Sequence, residues 1–487
     1  MQNCKYNIMK HLFTLKKIKP LGLLLFLISG STAFAQEKIS LEKAVDYALT
    51  RNLTIKQAQF SEALSNEDYK QSKYNELPSL TGSSQGSYNF GRSANLTTYS
   101  YTSQSFLYIS GQAQAAFTLF QGGQLRNLIL QNKLSLDASK GSTAKVKNDL
   151  VLNVVTIFLQ VLANQDLVTA AKQQIDIANI TLDRTNKTFK AGNSTLADLS
   201  QAKAQLSTAD YNLVNAQNQL ELSTLTLKQY MEMDPAANIA IERPDISKVT
   251  DVKTLYNAPD VISTALKINP DVLLAETQQK VYEQAIKVAK GGYYPTLTMF
   301  GNIGSNYSSI AQNVTGAVTT TQQIGVIQGT TTPVVSPVQV PVFSPSYGFT
   351  NQFGNNFNQS FGLNLQIPIF GRFLARTTVR KAKINYQNAQ VTTQLAKNTL
   401  AKTITQAVWD VQAADKKYQS AIQTYQANKD AYNVIQQRYN VGLVNSLDYN
   451  TSLTNLNKSQ NDMIQARYEL IFRSKVIDYY LGNPLTL

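Results

Sequence analysis

Between Phe361 and Ile369 the chain alternates. Phe361, Leu363, Leu365, Ile367 and Ile369 are apolar, while Ser360, Gly362, Asn364, Gln366 and Pro368 are polar, small or proline. Period two, with one apolar side, predicts a strand. Leu297, Met299, Gly301 and Ile303 alternate less cleanly, and Ser79 to Phe90 and Tyr101 to Phe120 are two further candidates, so four strands are expected. Elsewhere the period is seven. Gly122 to Phe189 and Arg372 to Tyr439 contain no proline. Val154, Val161, Val168, Ile175, Leu182 and Phe189 form a seam in the first, and Ile404, Val411, Tyr418, Tyr425, Tyr432 and Tyr439 form one in the second. Ile157, Ala171, Ala178, Ala407, Ala414 and Ala421 each stand four residues before a seam position. A strict heptad drifts on a straight helix, so two left-handed supercoiling rods are predicted. At ~1.5 Å per residue each reaches roughly 100 Å.

The two rods belong to an internal duplication. YALTRNLTIKQAQ at Tyr47 aligns with TALKINPDVLLAE at Thr264, and Pro78 with Pro295 at the same offset. From Phe120 a larger offset holds without gaps: LFQGGQLR at Leu119 meets IFGRFLAR at Ile369, Gly192 meets Gly442, Asp198 meets Asp448, and Tyr230 meets Tyr480. Each half therefore reads helix, two strands, long helix, turn, helix. The opening helices run from Ser40, an N-cap, to Tyr74 and from about Pro259 to Lys290. The returning helices start near Thr195 and Asn445 and end near Tyr230 and Tyr480. The surplus in the second half includes TTPVVSPVQVPVFSPSYG, which reads as a long uncharged loop over about 302–358. The expected division is 1–35 leader, 36–233 first repeat, 234–260 linker with Pro235, Pro244 and Pro259, and 261–487 second repeat.

The leader is a secretory signal by pattern: Lys5, Lys10, Lys16, Lys17 and Lys19, an apolar run from Leu21 to Ile28, then Ala33-Phe34-Ala35. Its removal before Gln36 changes the chemistry, because the single cysteine, Cys4, and the single histidine, His11, go with it. What remains has no disulfide, no Cys/His metal site and no Ser-His-Asp triad. No catalytic residue, metal or cofactor is expected, and no acidic pair stands out for a carboxylate enzyme. The formal charge of +14 also loses five lysines, and the remaining basic residues are spread along helices. Nucleic acid is not an expected partner.

Charge distribution bears on the strands. Gly291 to Gly371 holds no Asp, Glu, Lys or Arg, and Ser79 to Phe120 holds only Arg92. Uncharged alternation suits a wall facing lipid, where charge is costly; a soluble sheet is the plain alternative. Open edges cannot face lipid, and four strands are too few to close a membrane barrel. Strands that span a membrane here must share one barrel among several chains. Without such strands the chain would be a periplasmic or surface coiled-coil structural protein.

The leader, the duplication, the LFQGG and IFGRF junctions and the turns FKAGNSTLADL and YNVGLVNSLDY together resemble the TolC family of outer-membrane efflux channels, over about residues 37 to 484. The resemblance implies a mixed, mainly α fold: a long-helix α-barrel with coiled-coil packing, joined to a transmembrane β-barrel shared between protomers. It implies a homotrimer in the outer membrane of a Gram-negative bacterium, with a periplasmic extension and contact with outer-membrane lipid. The implied function is a passive exit duct for small molecules, served by a periplasmic adaptor protein and an inner-membrane pump. The alternative is the exit duct of a type I protein-secretion system. Tyr439 and Asp448 match positions of the family's periplasmic gate, with Phe189 and Asp198 as their counterparts. Gly192, Gly442, Leu443 and Val444 fall in the tip turns where the adaptor docks. From the residues themselves, Gly192 and Gly442 suit a sharp reversal at positive φ. Asp198 and Asp448 suit the N-terminal dipoles of the returning helices, worth ~0.3–1 kcal/mol. Two positions depart from the family pattern: Val444 stands in place of an arginine and Thr451 in place of an acid. Closure is therefore expected to rest on Tyr439 packing and on Asp198 and Asp448.

Overall fold

The computed structural model describes residues 37–95, 100–103, 105–244, 253–344 and 346–484. The expected leader, 1–35, and the linker's middle lie outside them. The first repeat comprises β1 (Glu37–Ile39), α1 (Leu41–Arg51), α2 (Leu53–Tyr74), β2 (Ser79–Asn89), β3 (Ser93–Asn95), β4 (Ser100–Thr102), β5 (Phe106–Gln121), α3 (Gln124–Lys190) and α4 (Leu196–Tyr230). After β6 (Ile239–Ile241), the second comprises α5 (Ala258–Ile268), α6 (Pro270–Lys290), β7 (Thr296–Ser308), β8 (Val314–Val326), β9 (Pro333–Phe343), α7 (Phe349–Asn355), β10 (Asn358–Gln366), α8 (Leu374–Asn440) and α9 (Ser446–Leu481).

Both rods form as continuous helices of 67 residues. Their seams turn inward: Val154, Val161, Val168, Ile404, Val411 and Tyr432 are all buried. Each expected opening helix is instead two. Asn52 and Asn269 adopt extended backbones, end one helix, and cap the next by accepting from Thr54 N (2.9 Å) and Asp271 N (3.0 Å). Pro270 reinforces the second break, because the residue before a proline avoids the α region.

The helices form a wall. In its upper part α2 packs on α3, α3 on α6 and α6 on α8; in its lower part α4 packs on α3, α3 on α9 and α9 on α8. The largest core lies where these parts meet, around Val154, Phe158, Leu162, Leu227, Met231 and Ile471. The most apolar stretch of α3, with mean hydropathy 1.5, is half buried inside the protomer. Asp166 accepts from Arg467, from the Tyr468 hydroxyl (2.9 Å) and from Arg243 (2.9 Å), joining α3, α9 and the segment after β6. Burial and the nearby carboxylate raise the Tyr468 phenol well above its ordinary value, so it remains a donor. β1 pairs in parallel with β6 on the same side of the duplication.

The four expected strands form one antiparallel sheet in the order β10-β7-β5-β2, with β2 and β10 as its edges. The segment expected as a loop over about 302–358 is structured: β7 continues to Ser308, β8 and β9 form a hairpin, and α7 follows. The prolines had signalled a loop, but register accommodates them. Ser344 N donates to Asn313 O (2.8 Å) and Ile327 N to Thr332 O (3.1 Å), so even-numbered residues of β9 face β8. Pro333, Pro337 and Pro341 are odd-numbered and lose only outward N–H groups, which an edge strand tolerates.

Gln352 of α7 moors this insertion and is 0 % exposed. β10 pairs with β7 only as far as Gly304. Beyond it, Gln352 accepts from Ser308 N (2.8 Å) and donates to Ser308 O (2.9 Å), while Asn356 donates to Asn306 O (2.9 Å). Side-chain amides thus replace the missing strand. Phe349 and Phe353 stack beside Tyr307.

The strand-to-helix junctions repeat one backbone. Gly122 and Gly123 have φ of 57° and 71°; their counterparts Arg372 and Phe373 have 50° and 57°. A non-glycine residue pays roughly 1–2 kcal/mol in this region. Gly122 also has no room for a side chain, since a Cβ would lie 2.6 Å from Tyr294 Cβ.

Gly122→Ala is expected to lower the yield of folded protein sharply, whereas Gly192→Ala, whose Cβ meets nothing within 4 Å, should cost only its backbone strain; thermal unfolding in detergent compares them. Gln352→Leu leaves the Ser308 peptide groups unpaired at ~1–3 kcal/mol. Limited proteolysis should then cut the 309–348 segment about tenfold faster or more, and unchanged cleavage would refute the mooring role.

Candidate functional site

Both long helices end in the same reversal. Asn193 N donates to Thr188 O (2.9 Å) and Leu443 N to Arg438 O (2.9 Å), six-to-one bonds that require a left-handed residue between. Gly192 and Gly442 supply it, with φ of 79° and 76°. Leu443 is exposed and Val444 half-buried; Val441 and Leu447 are exposed beside them, giving the second turn an apolar surface.

The returning helices begin differently. Thr195 accepts from Asp198 N (3.1 Å), and Asp198 accepts from Thr195 N (2.9 Å) and Thr195 Oγ1 (2.7 Å), closing a capping box. The other carboxylate oxygen of Asp198 accepts from Ser446 Oγ of the second turn. These bonds, that of Ser446 first, hold the Asp198 carboxyl below its ordinary value. In the second turn Asn445 accepts from Asp448 N (2.8 Å), but the Asp448 carboxylate takes no hydrogen bond among the described residues. The two aspartates expected to act alike are therefore unequal: Asp198 links the turns, and Asp448 faces solvent.

Tyr439 is packed, as expected, but its partners had not been foreseen. Its ring stacks on Tyr449 at 4.5 Å and 14°. Tyr449 is 4 % exposed, and its hydroxyl lies 3.1 Å from Tyr432 Oη and 3.2 Å from Thr181 Oγ1. Burial raises the Tyr432 phenol far above its ordinary value, with the Tyr449 bond adding to it, so Tyr432 keeps its proton at any physiological pH. Arg184 also meets the Tyr439 ring: its Cζ is 4.9 Å from the ring centre, and it donates to the carbonyls of Tyr439 and Asn440. Phe189, the counterpart of Tyr439, is 36 % exposed and outside this cluster. Arg184, Thr181 and Ser446 were missed because their partners lie across the repeat. One signal was present: the matching positions in the opposite repeat are Val434, Ala431 and Leu196.

Comparison with known proteins places the fold and the family. The Outer membrane efflux protein family matches residues 44–231 and 261–483. Outer membrane protein TolC of Salmonella enteritidis is 23% identical over 382 residues, covering 77% of this chain and 69% of that protein. The probable efflux pump outer membrane protein TtgC of Pseudomonas putida is 22% identical over 363 residues, covering 72% and 64%. The crystal structure of the Campylobacter jejuni CmeC outer membrane channel superposes with a TM-score of 0.70 at 18% identity, covering 91% of this chain and 85% of that one. Matched across both repeats, the chain belongs to the outer membrane efflux protein family.

Proposed function

We propose that three copies of this chain close into a single duct that carries small molecules out through the outer membrane, with a periplasmic adaptor seated on its tip and an inner-membrane pump supplying the driving force. The observation that carries this is the state of the protomer's two flanks. β2 and β10 are open sheet edges, and they run antiparallel, so β2 of one copy continues the ladder beside β10 of the next. Four strands from each of three copies give a twelve-stranded barrel, within the range of closed membrane barrels.

The helical flanks match the strand edges. On α8 the buried line runs through Ala389, Thr393, Leu400, Ile404 and Val411. At about 100° per residue, the exposed Ile384, Val391, Leu395 and Trp409 lie on the opposite side. α2 exposes Leu53, Phe60 and Leu64 opposite its buried Ile55, and α4 exposes Tyr211, Val214, Leu222 and Leu225 opposite Ala202, Ala209 and Leu227. Each flank thus carries a second apolar stripe that its own protomer does not use. Ring closure packs α8 of one copy against α2 and α4 of the next.

The division into repeats at 36–233 and 261–487, joined by 234–260, supplies six tip turns around such a ring. These turns form the gate, with Tyr439, Asp198, Asp448 and Phe189 around the constriction. Gly192, Gly442, Leu443 and Val444 form the rim on which the adaptor docks, and the exposed Val441 and Leu447 favour an apolar contact there. The likeness to the efflux pump protein TtgC supports efflux over protein secretion.

Leu395→Asp with Trp409→Asp is expected to yield detergent-soluble monomers with unchanged helix content, since each loses ~1.5–3 kcal/mol of burial and places a charge in every interface. Light scattering in detergent reads the mass; trimers of normal stability would count against closure through α8. Asp198 gives a pH prediction. Its folded pKa is depressed, so its bonds contribute fully above the ordinary carboxylate value of 3.8 and are lost as pH falls through the lower folded value. Bilayer conductance should therefore stay flat from neutral pH to about pH 5 and rise only in stronger acid. Asp198→Asn has one acceptor oxygen for two sets of donors, so it should conduct more already at neutral pH.

A further inference from the structure

We propose that Arg184 is a clasp that holds the second tip turn closed, gripping the end of α8 from α3. This rests on reading the tip as the gate and names a residue that does the holding. The grip has three parts. Nη2 donates to Tyr439 O (3.1 Å) and Asn440 O (2.8 Å), and Nη1 donates to Asn440 Oδ1. The two carbonyls end α8, where the helix dipole is negative, so a cation is favoured there. The guanidinium also lies over the Tyr439 ring, which is itself stacked on Tyr449. Three donors in a planar fork and a flat cation over a ring are features of arginine that lysine does not share.

A second handhold stands one turn earlier on the same helix. Thr181 Oγ1 meets the buried Tyr449 hydroxyl at the start of α9. α3 therefore holds both arms of the second turn at once: Arg184 takes the end of α8 and Thr181 the beginning of α9. Neither contact uses Val444, where an arginine was expected from the family resemblance. The cation that stabilises closure sits in the other repeat and binds backbone carbonyls.

The clasp is one-sided. The positions matching Thr181, Arg184, Tyr439 and Tyr449 in the other repeat are Ala431, Val434, Phe189 and Leu199. None of these pairs can rebuild it. In a ring of three copies the clasp exists at the three junctions inside protomers, where α3 meets α8 and α9. The three junctions between protomers, where α8 meets the next α4, have Val434 instead. Opening thus begins at the seams between copies and is resisted inside them.

The test is single-channel conductance of trimers in planar bilayers. Arg184→Met is expected to raise occupancy of the high-conductance state about tenfold, the effect of losing charge-assisted bonds. Arg184→Lys should give an intermediate rise, because it keeps the charge and loses the fork. Because the only cysteine is Cys4, in the expected leader, Arg184→Cys with Asn440→Cys gives a clean pair. Bridging it with a reversible thiosulfonate crosslinker should restore the low-conductance state, and reduction should release it. If Met, Lys and the unbridged pair conduct as wild type while Asp198→Asn conducts more, the clasp is wrong and the gate stands. If every variant and the bridged pair conduct alike, the tip is not the gate and both readings fall. Should Arg184→Met fail to assemble, the Lys variant and the bridged and reduced pair decide by the same criteria.

Discussion

An unpaired edge is the constraint on which the rest of this structure depends. The outward-facing backbone N–H and C=O groups along β2 and β10 have no partner strand in the protomer, and in hydrocarbon no water replaces one. Closure of the strands is therefore obligatory in a membrane. The helices below face a milder penalty, because an apolar stripe in water costs area and not hydrogen bonds. Yet the stripes on α2, α4 and α8 lie on the same two flanks as the open strands. One ring closure relieves both. In the proposed ring the strong requirement in the sheet and the weaker one along the rods would select the same neighbour, keeping a tube roughly 100 Å long in register over its whole length.

What the sequence made legible was local. A proline-free heptad predicts a long helix, and α3 and α8 are continuous over 67 residues each. Thr195, Asn445, Gly192 and Gly442 signal caps and reversals through their own side chains or lack of one, and those turns formed as expected. The breaks at Asn52 and Asn269 were hidden because apolar periodicity runs through them, although the Asn-Pro pair at 269–270 carried the signal. The β8–β9 hairpin was hidden for a different reason. Proline argues against a strand only until its register is known, and register is a property of two strands.

The site was legible in part, and the division is again between local and distant. The two tip glycines could be read from a single turn, and Tyr439 was pointed to by the family resemblance. The partners of Tyr439 were not, since Arg184 and Thr181 reach it from the other repeat. Asp198 and Asp448 looked equivalent because their neighbours in sequence are similar. They differ because Ser446 can donate to Asp198, while its counterpart Leu196 has no hydroxyl to offer Asp448.

Duplication has fixed the backbone more tightly than the side chains. Arg372 and Phe373 hold the left-handed conformations that Gly122 and Gly123 adopt without strain, so the junction geometry persisted where glycine did not. The tip shows the converse. Its two reversals share the same hydrogen bonds, while the groups that grip them have diverged completely between repeats. A ring built on backbone alone would have six equal points at its lower rim. In the proposed ring the side chains would reduce that symmetry to three. With a lock at all six junctions, none could move before the others yielded. In the proposed ring, locks at alternate junctions would leave the remaining three to slide first, where α8 and the next α4 would meet through the apolar stripes each exposes.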